Sequence, residues 1–239
     1  MTLKLLQNKK TAIVISLIAV LAFGSQVSGW AQYAEATLCS SAQGNHCYAT
    51  GKRTVTNDGN KVTMKASDMT VVNCNTDWAL SPQWVRFPNN DWAEVGIGTG
   101  NLNGLCITNE KIYTYHHVGA DLGWNIYSTA TPGTSYTFSI DDGLTNTYWQ
   151  IKQGSTLMEI VPSTQASGSG EVGTEITKGT ATIPVVHMSG IQYLNTFWST
   201  WTSSVSLSKS SQTDNPLNYL SCTNYYHLHF GSGTLSPCT

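Results

Sequence analysis

From Tyr48 onward the sequence is a succession of short runs rich in Val, Ile, Thr, Tyr and Trp, interrupted about every eight to twelve residues by Gly, Asn, Asp or Pro. That spacing suits strands of ordinary length joined by tight turns. It predicts strands over residues 61–64, 69–73, 93–97, 112–118, 124–127, 135–140, 147–153, 156–160, 171–177, 191–198 and 225–230, and no stretch carries the period of a long helix. Asn57-Asp58-Gly59 and Asp141-Asp142-Gly143 supply residues that tolerate positive φ, and Pro132-Gly133 suits a type II turn. Side chains alternate along the runs: Tyr136, Phe138 and Ile140 oppose Ser135, Thr137 and Ser139, and Thr147, Trp149 and Ile151 oppose Tyr148, Gln150 and Lys152. Ten or more such strands predict an all-β, two-sheet antiparallel sandwich of jelly-roll type, with Trp149 and Trp198 in its core. The Ser- and Thr-rich segments 163–170 and 199–214 read as surface loops.

The first residues bound the compartment. Lys4, Lys9 and Lys10 precede an apolar run from Thr11 to Phe23, which is shorter than the roughly 20 residues of a spanning helix. Residues 1–31 therefore read as a secretory signal peptide, and residues 32–239 as a single domain. A secreted chain, extracellular or periplasmic and without a membrane span after cleavage, is expected. Outside that segment nine basic residues face 14 acidic ones with no basic cluster, which argues against a nucleic-acid partner. Six cysteines, Cys39, Cys47, Cys74, Cys106, Cys222 and Cys238, form an even set that reads as three disulfides, with neighbour pairing preferred.

Within this framework the stretch Asp91–Gly100 is unusual. In an extended strand Trp92, Glu94, Gly96 and Gly98 share one face and Ala93, Val95 and Ile97 the other. Glycine in a strand interior leaves room for close approach, here read as room for a ligand. Only six glutamates occur, Glu35, Glu94, Glu110, Glu159, Glu171 and Glu175, and GEVGTEI repeats the pattern, with Glu171, Gly173 and Glu175 on one face. If the two strands share a sheet, Glu94 faces Glu171 or Glu175 across a groove. Two carboxyls on one dry face can divide acid and base roles, because burial and mutual repulsion raise one pKa while the other stays ionised. The alternative is ordinary strand residues facing water. Trp92, Tyr113, Tyr115, His117 and Trp124 form a candidate ligand-binding set, since aromatic planes among hydrogen-bonding side chains suit sugars. His227 and His229 share a strand face at a spacing that can seat a metal, with His116-His117 as a possible third ligand, although strand histidines more often face solvent. The expectation is no metal and no cofactor. No GxSxG, HExxH or phosphate-binding glycine loop occurs.

The order of HCYAT (His46 to Thr50), DWAEVGIG (Asp91 to Gly98), KIYTYHH (Lys111 to His117), TSYTFSIDD (Thr134 to Asp142) and YWQIKQG (Tyr148 to Gly154) resembles a group of secreted bacterial proteins of concanavalin A-like β-sandwich type, over most of residues 46–177. Within that superfold the Trp-x-Glu-x-Gly-Ile strand, followed about 77 residues later by an acidic strand, is similar in layout to the eqolisin-type glutamic peptidases. Those enzymes pair a Gln on the earlier strand with a Glu on the later one, which by position falls on Glu171 or Glu175. Here the earlier position offers Glu94 instead, and no tryptophan flanks the later glutamates. The functional expectation is recognition of an extracellular polymer, a glycan or other cell-envelope chain, through an aromatic and acidic concave face. The alternatives are an acid hydrolase with a glutamate pair, either a glutamic-type endopeptidase or a retaining or inverting glycosidase, and a structural cell-surface protein.

Overall fold

Tight turns and alternating apolar residues produce fifteen strands in the computed structural model, which describes residue 39 and residues 46–143, 148–223 and 225–238. They are β1 (Cys47–Arg53), β2 (Gly59–Lys65), β3 (Trp78–Arg86), β4 (Trp92–Leu102), β5 (Leu105–Val118), β6 (Asp121–Thr129), β7 (Ser135–Asp141), β8 (Trp149–Gln153), β9 (Thr156–Val161), β10 (Ser169–Ile176), β11 (Val186–Leu194), β12 (Trp198–Thr200), β13 (Val205–Lys209), β14 (Leu217–Thr223) and β15 (His227–Ser232). The predicted signal segment, Glu35 and Thr147 lie outside the described residues. Contacts divide the chain between Thr37 and Leu38 into two units, and all fifteen strands belong to the second. No helix among the described residues is long and apolar enough to cross a membrane.

The strands form an antiparallel β-sandwich. One sheet runs β13-β1-β10-β3-β4-β5-β6, and the other β14-β15-β11-β2-β7-β8-β9 with β12 beside β11. The inner faces meet in a core that includes Val62, Phe138, Ile140, Trp149, Ile151, Val172 and Phe230, all fully buried. Asn60 on β2 ties the sheets together: its Nδ2 donates to the Glu171 carbonyl at 3.3 Å, and its own carbonyl accepts from Gln83 Nε2 at 3.0 Å. The bridges join Cys39–Cys47, Cys74–Cys106 and Cys222–Cys238, each closing neighbours in sequence.

Several elements depart from the sequence expectation. Residues 69–73 form no strand: the Met69 amide donates to Glu110 Oε1 at 2.7 Å, and Thr70 makes only an isolated antiparallel bridge to Thr182. Strands β1, β3, β12, β13 and β14 were not expected, and the expected strand 191–198 ends at Leu194, with residues 195–197 bending away before β12. β3 is the instructive case, since Pro82 argues against a central strand. The chain tolerates it between β10 and β4 because the β10 ladder skips it: register runs through Val172–Gln83 and resumes at Glu175–Leu80. β13 falls inside the expected loop 199–214, where Trp201 is fully buried. Trp198, expected in the core, is half-buried and covered by Lys61, whose Nζ lies 4.4 Å from the ring centroid. β12 pairs Trp198 with Leu194, and just beyond it the Trp201 amide donates to the Ile191 carbonyl at 3.0 Å.

Candidate functional site

The outer face of the first sheet is not a washed surface. Side chains from β1, β3, β4, β5, β6 and β10 converge around a cavity of about 500 Å³. On β4, Ala93, Val95 and Ile97 enter the core, while Glu94 turns into the cavity with only 4% of its surface exposed. An Asn103-Gly104 hairpin with positive φ at both residues fixes β5 beside β4, and the Cys74–Cys106 bridge staples that end.

Glu94 is held as an acid. Tyr113, fully buried on β5, donates from Oη to Glu94 Oε1 at 2.5 Å. Trp84, directly opposite on β3, lines the same cavity beside the carboxyl. Burial, reinforced by the charge of Glu175, pushes the Glu94 pKa up to about 8, so the group is neutral at pH 7. Burial followed by the charge of Glu94 pushes the Tyr113 phenol up as well, which keeps it a donor.

Glu175 sits two strands away on β10, at the same cavity. Its Oε1 accepts from Trp78 Nε1 at 3.1 Å and lies 2.5 Å from His46 Nδ1. The same nitrogen lies 2.8 Å from Tyr48 Oη. One ring nitrogen cannot donate to the carboxylate and accept from the phenol at once, so His46 engages one or the other as its tautomer changes. Burial and then the charge of Glu175 raise the Tyr48 pKa, which retains its proton.

Glu171 has a different position. It occupies the same cross-strand row as Glu94, with Trp84 between them, yet its Oε2 is held at 2.7 Å by Arg86 Nε and it does not line the cavity. The structure brings Glu94 and Glu175 to one cavity and leaves Glu171 in an ion pair beside it. The glycines of this face leave no room for a ligand, because the protein itself fills it. A Cβ at Gly96 would stand 2.5 Å from the Ser81 carbonyl oxygen and one at Gly173 2.3 Å from that of Ala49, so these glycines admit the neighbouring strand.

Of the aromatic set, Trp92, Tyr115 and Trp124 line the cavity, Tyr113 supports Glu94, and His117 stacks on Trp92 at 4.7 Å and 19°. Tyr115 stacks on Trp124 at 4.5 Å and 26°, so these rings cover one another and are not free platforms. Sequence reasoning missed His46, Tyr48, Trp78, Trp84 and Arg86, all on or next to β1 and β3. The period-two series Trp78, Leu80, Trp84, Arg86 was visible in the sequence but was interrupted by Pro82. Gln83, a neighbouring glutamine, points into the core and takes no part.

The histidines fall on both sheets. His116 and His117 belong to β5, where His116 Nδ1 lies 2.5 Å from Glu159 Oε1 in the interior. They are on the other sheet from His227 and His229 and supply no third ligand. The residue that joins that pair is His187 on β11, directly opposite His229.

The sequence matches no family model and no curated protein. Solved structures match the fold. A Scytalido-glutamic peptidase bound to a peptide-based transition-state analog aligns with TM-score 0.55 at 8% identity, covering 79% of this chain and 98% of that one. SCP-B, a member of the eqolisin family of peptidases bound to the tripeptide Ala-Ile-His, aligns with TM-score 0.54 at 9% identity over 79% and 98% of the two chains. At such identities what this chain shares with those peptidases is the fold, a two-sheet sandwich aligned over nearly their whole length.

Proposed function

We propose that this protein is a polypeptide hydrolase in which Glu175 activates water and Glu94 acts as a neutral acid. The observation that carries the reading is the asymmetric setting of two carboxyls at one cavity: Glu94 is enclosed against the buried Tyr113 hydroxyl, which with its burial favours the protonated acid, while Glu175 meets Trp78 Nε1 and His46. Water attacks the peptide carbonyl carbon while the Glu175 carboxylate takes its proton, and the Glu94 hydroxyl donates to the developing oxyanion. Collapse breaks the C–N bond, and the proton held by Glu175 passes to the leaving amine. A protonated carboxyl sets an O–H donor beside a carbonyl acceptor, as the glutamine amide of the eqolisin layout sets N–H donors beside one, so Glu94 can stand in that role. The fold likeness to peptidases seen with a transition-state analog and with a tripeptide supports a peptide over a sugar as substrate. The three disulfides suit an oxidising compartment, and a basic-apolar N-terminal segment suits export to it as one domain over residues 32–239.

The test is digestion of denatured casein, with β-glucan and xylan in parallel, from pH 2 to pH 9. Glu175→Gln is expected to lower turnover by about 100-fold or more. Glu94→Gln retains peptide cleavage, because the amide still donates to the oxyanion, whereas a glycosidase acid would lose turnover with that change. Glu171→Gln leaves cleavage standing. Wild type that cuts none of these substrates, or cleavage that survives Glu175→Gln, removes the pair from the reaction. The second reading, polymer recognition without turnover, rests on Trp92, Tyr115 and Trp124 at the cavity, and retention of wild type but not Trp92→Ala on insoluble polysaccharide is its mark.

A further inference from the structure

On the opposite side of the sandwich, β11 and β15 pair with His187 directly across from His229, and His227 lies two residues from His229 on the same strand face. Their neighbours Met188, Leu228 and Phe230 enter the core, so all three imidazoles belong to the outer face of the second sheet. His187 and His229 ring centroids are 4.1 Å apart, and those of His227 and His229 4.9 Å. One ligand nitrogen from each ring lies within 4.8 Å of the other two.

His229 has the decisive environment. It is 1% exposed, its Nδ1 lies 3.3 Å from the Ser236 carbonyl oxygen, and its Nε2 is buried without a hydrogen-bond partner. A buried polar nitrogen left unpaired costs about 1–3 kcal/mol. A carbonyl at Nδ1 selects the tautomer with the proton there, which leaves the Nε2 lone pair available as a ligand. Ser236 is itself fixed by the Cys222–Cys238 bridge two residues on, and that bridge keeps both sulfurs out of the donor set. We propose that His187, His227 and His229 bind one divalent transition-metal ion of the zinc or copper kind.

An all-imidazole set suits zinc, copper and nickel and is a poor match for calcium or magnesium, which take oxygen ligands. Bonds of about 2.0–2.1 Å to zinc require the three nitrogens to draw closer than they now stand. His187 and His227, both half-buried, have the freedom to turn toward the fixed His229. Three protein ligands leave a fourth position for water or a donor from another molecule. Lys65, next along β2 from the Met64–Met188 pair, places its charge near His187 and opposes a dication. The site lies on a different sheet from Glu94 and Glu175 and stands or falls independently of the hydrolase reading.

The test uses tag-free protein stripped with a chelator, titrated with Zn(II) against a chromophoric competitor, with Cu(II) examined by electron paramagnetic resonance. One ion per chain is expected, with nitrogen hyperfine structure for Cu(II) and no competition from Ca(II). Losing a partner behind a ligand typically weakens a site by about 10- to 100-fold, so His187→Ala and His227→Ala should each weaken Zn(II) by about 100-fold or more. His187→Asn and His227→Gln repeat the loss with polarity kept, and thermal melts of the metal-free variants report that the fold is retained. His117→Ala leaves binding unchanged, and Lys65→Gln tightens it severalfold. Absence of stoichiometric Zn(II) or Cu(II) binding at micromolar concentration, or binding equally tight in folded variants of His187 and His227, overturns the assignment.

Discussion

Replacing Glu94 by Gln should stabilise the protein at alkaline pH and leave it unchanged in acid. The carboxyl titrates at about 8 in the fold against a reference of 4.5, so the folded state binds an extra proton between those values. Below about pH 4.5 both states are protonated, and the stability associated with the raised pKa is fully present. As pH rises the unfolded chain ionises first, and stability is lost at about 1.4 kcal/mol per pH unit until the folded group ionises near pH 8. The total is about 5 kcal/mol, a large part of the 5–15 kcal/mol typical of a whole domain. Glutamine has nearly the same shape, its amide oxygen still accepts from Tyr113, and it has no proton to lose in this range. Urea unfolding followed by tryptophan fluorescence at unit steps from pH 4 to pH 9, disulfides intact, reads the difference directly. The two proteins should coincide at pH 4 and diverge steadily, the variant ahead. Parallel curves across the range would show that Glu94 ionises as an ordinary carboxyl, and the division of roles between Glu94 and Glu175 would fall with it.

Wild-type hydrolysis should persist through neutral pH and decline as Glu94 loses its proton near 8, in place of the acidic optimum that a bare carboxylate pair suggests; a pH–rate profile that closes below pH 6 contradicts this. Arg86→Leu strands the Glu171 carboxylate, and chemical denaturation should register a loss of about 2–3 kcal/mol, less than for a fully buried pair because Arg86 is over a third exposed. Trp149→Ala should cost about 3–5 kcal/mol by emptying the core, whereas Trp198→Ala, which only uncovers Lys61, should cost about 1 kcal/mol or less; melts of equal size for both would misplace the two indoles. Cys222→Ser with Cys238→Ser opens a loop of sequence separation 16 and should lower stability by about 3 kcal/mol under the same assay.

Individual strands differ in how much of the site they reveal in sequence. β4 and β10 announce themselves through alternation, since aliphatic residues that must reach the core fix which way Glu94, Glu171 and Glu175 point. The sequence could not choose between the two acids on β10. That choice lies with Arg86, 85 positions from Glu171 along the chain, which captures one carboxylate and leaves the other at the cavity. Nor could local pattern place β3 between β4 and β10, because a proline in a central strand is tolerated only where the partner ladder can skip it.

Residue type and a period of two were enough to establish the all-β class, the antiparallel sandwich, the existence of three disulfides and the outward direction of the acids. The remaining features depend on contacts between distant parts of the chain. A strand's outer face becomes a cavity only when neighbouring strands bring Trp78 and Trp84 around it and Tyr113 beneath it, and the raised pKa of Glu94 follows from that burial, which no run of neighbouring residues encodes. His187 likewise meets His227 and His229 only through the pairing of β11 with β15, forty and forty-two positions later in the chain.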